Sequence, residues 1–131
     1  MQVRIHMPTI TITSPKGGSG KTTLALVLAT TLAERGGSVV LVDADPNRPL
    51  VSWADGGIMD GLQVVSADEA SVAEIVGVAN RQADWVVVDT EGTASLTALR
   101  GVALADLVLI PMTPSPLDSM QAARLVRAIH A

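Results

Sequence analysis

Short runs of β-branched and aliphatic residues alternate along this chain with longer stretches of helical spacing. Thr9-Ile10-Thr11-Ile12-Thr13 predicts a first strand, and the apolar stretch from Leu24 to Leu32 lies within a predicted helix running from about Gly20 to Arg35. Gly36-Gly37 ends that helix, because glycine adopts the left-handed conformation that commonly closes a helix. Ser38-Val39-Val40-Leu41-Val42 is a near-continuous apolar strand stopping at Asp43. Gln63-Val64-Val65 predicts a short third strand, and Ser66-Ala67-Asp68-Glu69 reads as a capping box opening a helix to about Asn80. Trp85 to Val88 predicts a fourth strand ending at Asp89, Ala94 to Ala105 a short helix, and Leu107 to Ile110 a fifth strand. Ser115 as N-cap, Pro116 at the first helical position and Asp118 three residues past the cap open a final helix through His130. Strands alternating with helices predict an α/β fold with a mainly parallel sheet.

Composition narrows the picture. At 131 residues the chain fits a single domain, with a core built from Val, Leu, Ile and Ala because Trp53 and Trp85 are its only aromatics. Such a core suits strands buried on both faces. Mean hydropathy is +0.41, but no apolar run approaches the ~18 residues of a membrane-spanning helix. The chain is therefore expected to be soluble and cytoplasmic. The absence of cysteine excludes disulfides and thiolate metal sites within these residues. A net charge of −4 and a pI near 4.9 leave no global basic field to hold nucleic acid. Residues 1–7 are expected to form a disordered leader, with Met7 a possible alternative start.

Ser14-Pro15-Lys16-Gly17-Gly18-Ser19-Gly20-Lys21-Thr22-Thr23 sits between the first strand and the first helix. It reads as a phosphate-binding loop. Glycines allow a tight turn that points backbone N–H groups at an anion, and the following helix aims its positive end at the same place. Lys21 supplies charge for the β- and γ-phosphates, and the Thr22 hydroxyl is placed to ligate Mg²⁺. The first glycine of the common G-x-x-x-x-G-K-[ST] pattern is replaced by Pro15, and Lys16 precedes the paired glycines. The plainer alternative is a strand-to-helix turn with no ligand.

The segment Lys16 to Thr22 resembles the deviant phosphate loop of the ParA/MinD family of ATPases. The resemblance extends from Pro8 to roughly Arg127 and implies a three-layer P-loop NTPase fold, truncated here at its C-terminus. It implies ATP and Mg²⁺ as cofactors, contacts from Lys16, Gly17, Gly18, Ser19, Gly20, Lys21, Thr22 and Thr23 to the nucleotide, and a Lys16 that reaches into the partner subunit's site in an ATP-dependent homodimer. Asp43-Ala44-Asp45-Pro46 resembles the family's D-x-D-P switch, so Asp45 is implied to position the attacking water and Asp43 to support the metal's water shell. Asp89 closes its strand like a Walker B acid that helps hold Mg²⁺. Each acid could instead merely cap a strand end. Asp89-Thr90-Glu91-Gly92 departs from the family's commoner D-T-P-P and puts Glu91 in place of a switch proline.

The stretches Pro46 to Trp53 and Pro111 to Asp118 look most like the small plasmid-partition ATPases and their relative acting in T-DNA transfer. The expected function is a nucleotide-driven dimer switch in plasmid or chromosome partition, with a small DNA-binding partner and non-specific DNA held through residues beyond this chain. A MinD-like membrane-cycling regulator, a T-DNA transfer ATPase and a non-catalytic nucleotide-binding module are the alternatives. The cysteine-ligated cluster of the nitrogenase iron protein, which shares the loop, is excluded here. Arg100, Arg124 and Arg127 read as solvated arginines or as part of a DNA-contacting face. His6 and His130 read as solvated, Trp53 as half-buried or a partner contact, and Pro111-Met112-Thr113-Pro114 as a strand-to-helix loop.

Overall fold

The computed structural model describes residues 9–14, 20–47, 49–54, 59–90 and 95–130. The elements run β1 (Thr9–Ile12), α1 (Lys21–Glu34), β2 (Val39–Ala44), α2 (Pro49–Ala54), β3 (Leu62–Ser66), α3 (Val72–Gln82), β4 (Trp85–Thr90), α4 (Leu96–Leu104), β5 (Leu107–Leu109) and α5 (Pro116–His130). All five strands join one sheet in the order β3-β2-β4-β1-β5, and each adjacent pair is parallel.

Parallel strands buried on both faces need apolar residues at consecutive positions, and alternation then decides which layer each one joins. Val39 and Leu41 of β2, Val87 of β4 and Ile12 of β1 pack with Ala25, Ala29 and Ala33 of α1 and with Leu50 of α2. Val40, Val42 and Ala44 of β2, with Val86 and Val88 of β4, pack with Val72, Val76 and Ala79 of α3 on the opposite face. These two cores make three layers: α1 and α2, the sheet, then α3 and α4. The four-residue spacing of Lys21, Ala25, Ala29 and Ala33 gives α1 its buried face, and small side chains there allow close approach to the sheet. Interior strand β1 carries threonines on the side of α3 and α4, where Thr11 Oγ1 donates to the Gly101 carbonyl at 2.8 Å and Thr9 Oγ1 to Asn80 Oδ1 at 2.6 Å. Buried hydroxyls that are paired in this way avoid a desolvation penalty.

Several ends follow their predicted chemistry. Gly36 (φ 90°) closes α1, its N–H donating to the Ala33 carbonyl and that of Gly37 to the Leu32 carbonyl. Ser115 Oγ accepts the Asp118 N–H at 3.1 Å, capping α5 as expected, and Ser95 Oγ, a cap that the sequence reading did not single out, accepts the Ala98 N–H at 3.0 Å and opens α4. The predicted capping box at Ser66 does not form. Ser66 instead completes β3 opposite Asp43, and a reciprocal pair forms further on. There Asp68 N–H donates to Ser71 Oγ and Ser71 N–H to Asp68 Oδ1, so α3 starts only at Val72. Ladder pairing with β2 outweighed the local cap.

The α5 side is thinly covered. Only Asp118 and Ala122 of α5 are buried, while Leu117, Met120 and Val126 are exposed, as is Leu107 on β5. A cavity of about 290 Å³ lies between α4 and α5. Among the described residues no helix is long and apolar enough to cross a membrane.

Candidate nucleotide site

The carboxyl ends of β1, β2 and β4 meet at the centre of the sheet, where β4 lies between the other two. Open α/β sheets bind ligands at such an edge. Gly20, in the left-handed region at φ 86°, turns the chain directly into α1, and its carbonyl accepts the first helical bond from Leu24 N–H at 2.8 Å. With no side chain of its own it contributes no cap, and α1 has no acid in its first turn. The positive end of the helix dipole is thus free of compensating side chains from that turn and favours an anion.

Lys21 and Thr22 both turn toward Asp89. The Lys21 ammonium, only 7% exposed, lies 3.6 Å from Asp89 Oδ1. Thr22 Oγ1 donates to Asp89 Oδ2 at 2.9 Å. Asp89 belongs to the last part of β4 rather than the residue beyond it, because the ladder with β2 continues through Asp43 opposite Asp89 and Ala44 opposite Thr90. Thr90 Oγ1 donates to the Ile12 carbonyl at 2.9 Å and ties the end of β4 to the end of β1. Burial pushes the Asp89 carboxyl above its ordinary value, opposed by the Lys21 charge and the Thr22 hydroxyl and reinforced by the charges of Asp43 and Asp45.

A cation would meet this need. Asp89 Oδ1 is a buried oxygen that accepts no hydrogen bond, and the Thr22 hydroxyl beside it retains lone pairs while it donates. Among the described residues no group of three or more His, Cys, Asp or Glu side chains forms a metal cage. The donor set therefore suits a hard ion that keeps waters and takes oxygens from a phosphate, as Mg²⁺ does.

Asp43 is engaged differently. Its Oδ1 accepts the Asp45 N–H at 3.3 Å, and its Oδ2 accepts the N–H groups of Leu50 and Val51 at 3.0 and 3.1 Å. Burial raises its carboxyl from the ordinary value, and these three N–H groups work against that rise. Asp45, partly exposed, accepts the Asn47 N–H on Oδ1 at 2.9 Å in a side-chain turn.

Of the sequence-predicted residues, Gly20, Lys21, Thr22, Asp43, Asp45 and Asp89 thus gather at one edge. Thr23 is exposed on α1. Lys16, Gly17, Gly18, Ser19 and Glu91 lie outside the described residues. Trp53 is 38% exposed. Arg124 and Arg127 are exposed on α5, and Arg100 donates to the Glu69 carbonyl, tying α4 to the turn before α3. Pro111 to Pro114 lie in the strand-to-helix connection between β5 and α5, as predicted. Sequence reasoning missed α2 and Asp43's hold on it, although Pro49 at the first helical position was an available signal.

A parallel sheet in this order, with α1 led by Gly20 after β1 and acids near the ends of the adjacent strands β2 and β4, matches the architecture of ParA/MinD P-loop proteins. The chain belongs to the VirC1 protein family, whose family model matches residues 7–130. It is 40% identical over 125 residues to the protein ParA of Rhizobium radiobacter, a match covering 94% of this chain and 56% of that protein. The chain thus spans about half the length of the curated relatives it matches.

The fold is similar to that of a putative plasmid partition protein from Borrelia burgdorferi B31 bound to AMPPNP, with a TM-score of 0.80 and 22% identity over 96% of this chain and 72% of that one. It is also similar to the septum site-determining protein MinD of Pyrococcus horikoshii OT3 complexed with Mg-ADP. That TM-score is 0.75, with 18% identity over 92% of this chain and 65% of that one.

Proposed function

We propose that this chain carries the nucleotide site of a Mg²⁺-dependent ATPase that works as a dimer switch in DNA partition. The observation that carries the reading is the convergence of Lys21 and Thr22 on buried Asp89 beside the uncapped start of α1. Lys21 is the counter-charge for the β- and γ-phosphates, and the backbone N–H groups of the loop and first helical turn cradle them. Thr22 and Asp89 hold the metal, directly or through its waters, and Asp43 supports that arrangement from the adjacent strand. When bound, Mg²⁺ neutralises charge on the phosphates. Asp45, whose Oδ1 accepts the Asn47 N–H, orients the attacking water with its second carboxylate oxygen. Phosphoryl transfer depends largely on such positioning and charge stabilisation, which these groups supply within one subunit.

Lys16 completes the site from a second subunit, which makes hydrolysis depend on dimerisation. The partners are a second copy of the chain and a small DNA-binding protein, in a cytoplasmic setting, with non-specific DNA held by other parts of the protein. Support for partition comes from the likeness to ParA of Rhizobium radiobacter. A second reading, an ATPase acting in T-DNA transfer, rests on the resemblance of the stretches Pro46 to Trp53 and Pro111 to Asp118. Calorimetric titration with ATP in the presence and absence of Mg²⁺, followed by phosphate release on the same preparation, tests the shared core of both. Mg²⁺-dependent binding with slow release is expected. No binding would remove the nucleotide-site assignment.

A further inference from the structure

Thr9, Thr11 and Thr13 alternate along β1 and its continuation, and so share the face toward α3 and α4. The first two hydroxyls are paired, Thr9 Oγ1 with Asn80 Oδ1 and Thr11 Oγ1 with the Gly101 carbonyl. Thr13 prolongs the pairing with β5, its N–H donating to the Leu109 carbonyl at 3.1 Å, and is only 3% exposed. Its hydroxyl, however, has no hydrogen-bond partner among the described residues. Thr13 forms part of the wall of the cavity between α4 and α5. Leu99 and Val102 of α4 and Leu125 and Ile129 of α5 give that wall an aliphatic character, which Gln121 interrupts. Gln121 Oε1 is buried and also accepts no hydrogen bond. Unmade bonds to buried polar groups are costly, and here two of them border one hollow.

We propose that this cavity is a binding site, separate from the nucleotide site, for a small and mainly aliphatic molecule that carries one neutral hydroxyl or amide group. An apolar cavity of ~150 Å³ accommodates benzene, so a hollow of about 290 Å³ takes a molecule roughly twice that size. The aliphatic wall holds the body by removing apolar surface from water, and a few polar groups fix its orientation, as in most small-molecule pockets. Thr13 sets the requirement for the head, because its hydroxyl both donates and accepts. The Gln121 oxygen calls for a donor, which it meets by a turn of its amide toward the hollow. Arg124 is the one charged side chain among the described lining residues, and its Nη2 lies 3.7 Å from the sulfur of exposed Met120, one turn back along α5. The wall therefore suits a neutral head rather than an acid. The site does not depend on the reading of the carboxyl edge.

The test uses the whole chain, with octanol as the probe and heptyl methyl ether, its isomer without a donor, as the control. Titration is followed by the NMR shifts of the Leu99, Val102, Leu125 and Ile129 methyl groups. Octanol is expected to saturate these shifts and to bind about 2- to 10-fold more tightly than the ether, the scale of one hydrogen bond. Thr13→Val keeps the side chain's shape, removes its hydroxyl and should weaken octanol by a similar factor. Ala128→Phe fills the hollow from an exposed position on α5 and should abolish binding without lowering the melting temperature. Saturating Mg-ATP should leave the octanol affinity unchanged. Methyl groups that do not respond to octanol would show that the cavity holds solvent only, and the proposal falls. Displacement of octanol by Mg-ATP would make the hollow part of the nucleotide site. Tighter binding of octanoate than of octanol would give the head to Arg124 and overturn the role of Thr13. Octanol binding that survives both substitutions would place it elsewhere on the protein. If Thr13→Val does not fold, the octanol-to-ether ratio in wild type and the loss in Ala128→Phe decide.

Discussion

Asp43 and Asp89 stand directly opposite each other in the β2–β4 ladder, and both are fully buried. Two carboxylates in that position repel and are both short of water, so each needs its own compensation. Asp89 has the Lys21 ammonium and the Thr22 hydroxyl, whereas Asp43 has three backbone N–H groups. The division separates their work: one acid faces the start of α1, and the other organises the chain that follows β2.

Stability should therefore depend on pH through Asp89. Burial, aided by the charges of Asp43 and Asp45, lifts its folded-state carboxyl above the ordinary value of 3.8 despite Lys21 and Thr22. The folded protein then binds more protons than the unfolded chain, so this group's contribution is fully present below that ordinary value and is lost as pH rises through the folded one. Asp89→Asn removes the contribution. Melting temperatures of ligand-free wild type and variant, measured from acid to neutral pH, should diverge progressively in the variant's favour, whatever the offset from losing the ion pair. Parallel curves would contradict the raised carboxyl.

Lys21→Ala should weaken Mg-ATP binding by about 10- to 100-fold, the range expected when one charged hydrogen-bonding group worth ~1.5–3 kcal/mol is removed. Calorimetry measures it. Unchanged affinity would mean that the phosphates are not held at the start of α1.

The fold was legible wherever one local signal faced no competitor. Val39 to Val42 and Val86 to Val88 could be little but buried parallel strands, and Gly20 and Gly36 marked the two ends of α1. Ser66 was misread because its cap pattern competed with a ladder to β2 that depends on residues more than twenty positions away. The site was legible in its residues but not in its contacts. Asp43 carried no local sign that it would cap α2, since only the fold brings Leu50 and Val51 back to it.

Asp45→Ala should separate binding from turnover. The carboxylate lies on a partly exposed turn and touches its own loop through Asn47, so its removal leaves Lys21, Thr22 and Asp89 in place. ATP affinity is expected to stay within a few-fold, while phosphate release falls by about 10²-fold or more, the scale of losing a group that orients or activates the nucleophile. Wild-type turnover in this variant would transfer the role to another residue, Glu91 being the next acid in sequence.

The remaining prediction concerns Lys16, which precedes the paired glycines and distinguishes this loop from the common pattern. If it reaches the phosphates of a second subunit, its charge matters only when two subunits meet, because within its own subunit Lys21 already supplies the counter-charge. Lys16→Ala should then leave ATP binding to the monomer largely intact while abolishing both ATP-induced dimerisation and hydrolysis. A lysine acting within its own subunit would give the opposite pattern, with nucleotide affinity falling as in Lys21→Ala. Light scattering with and without Mg-ATP, alongside calorimetry and phosphate release, separates the two. The chain spans 56% of its ParA relative, so the measurement is made both on this chain and on a version extended to the relative's length. Dimerisation and turnover at the wild-type level in the extended variant would rule out a shared site.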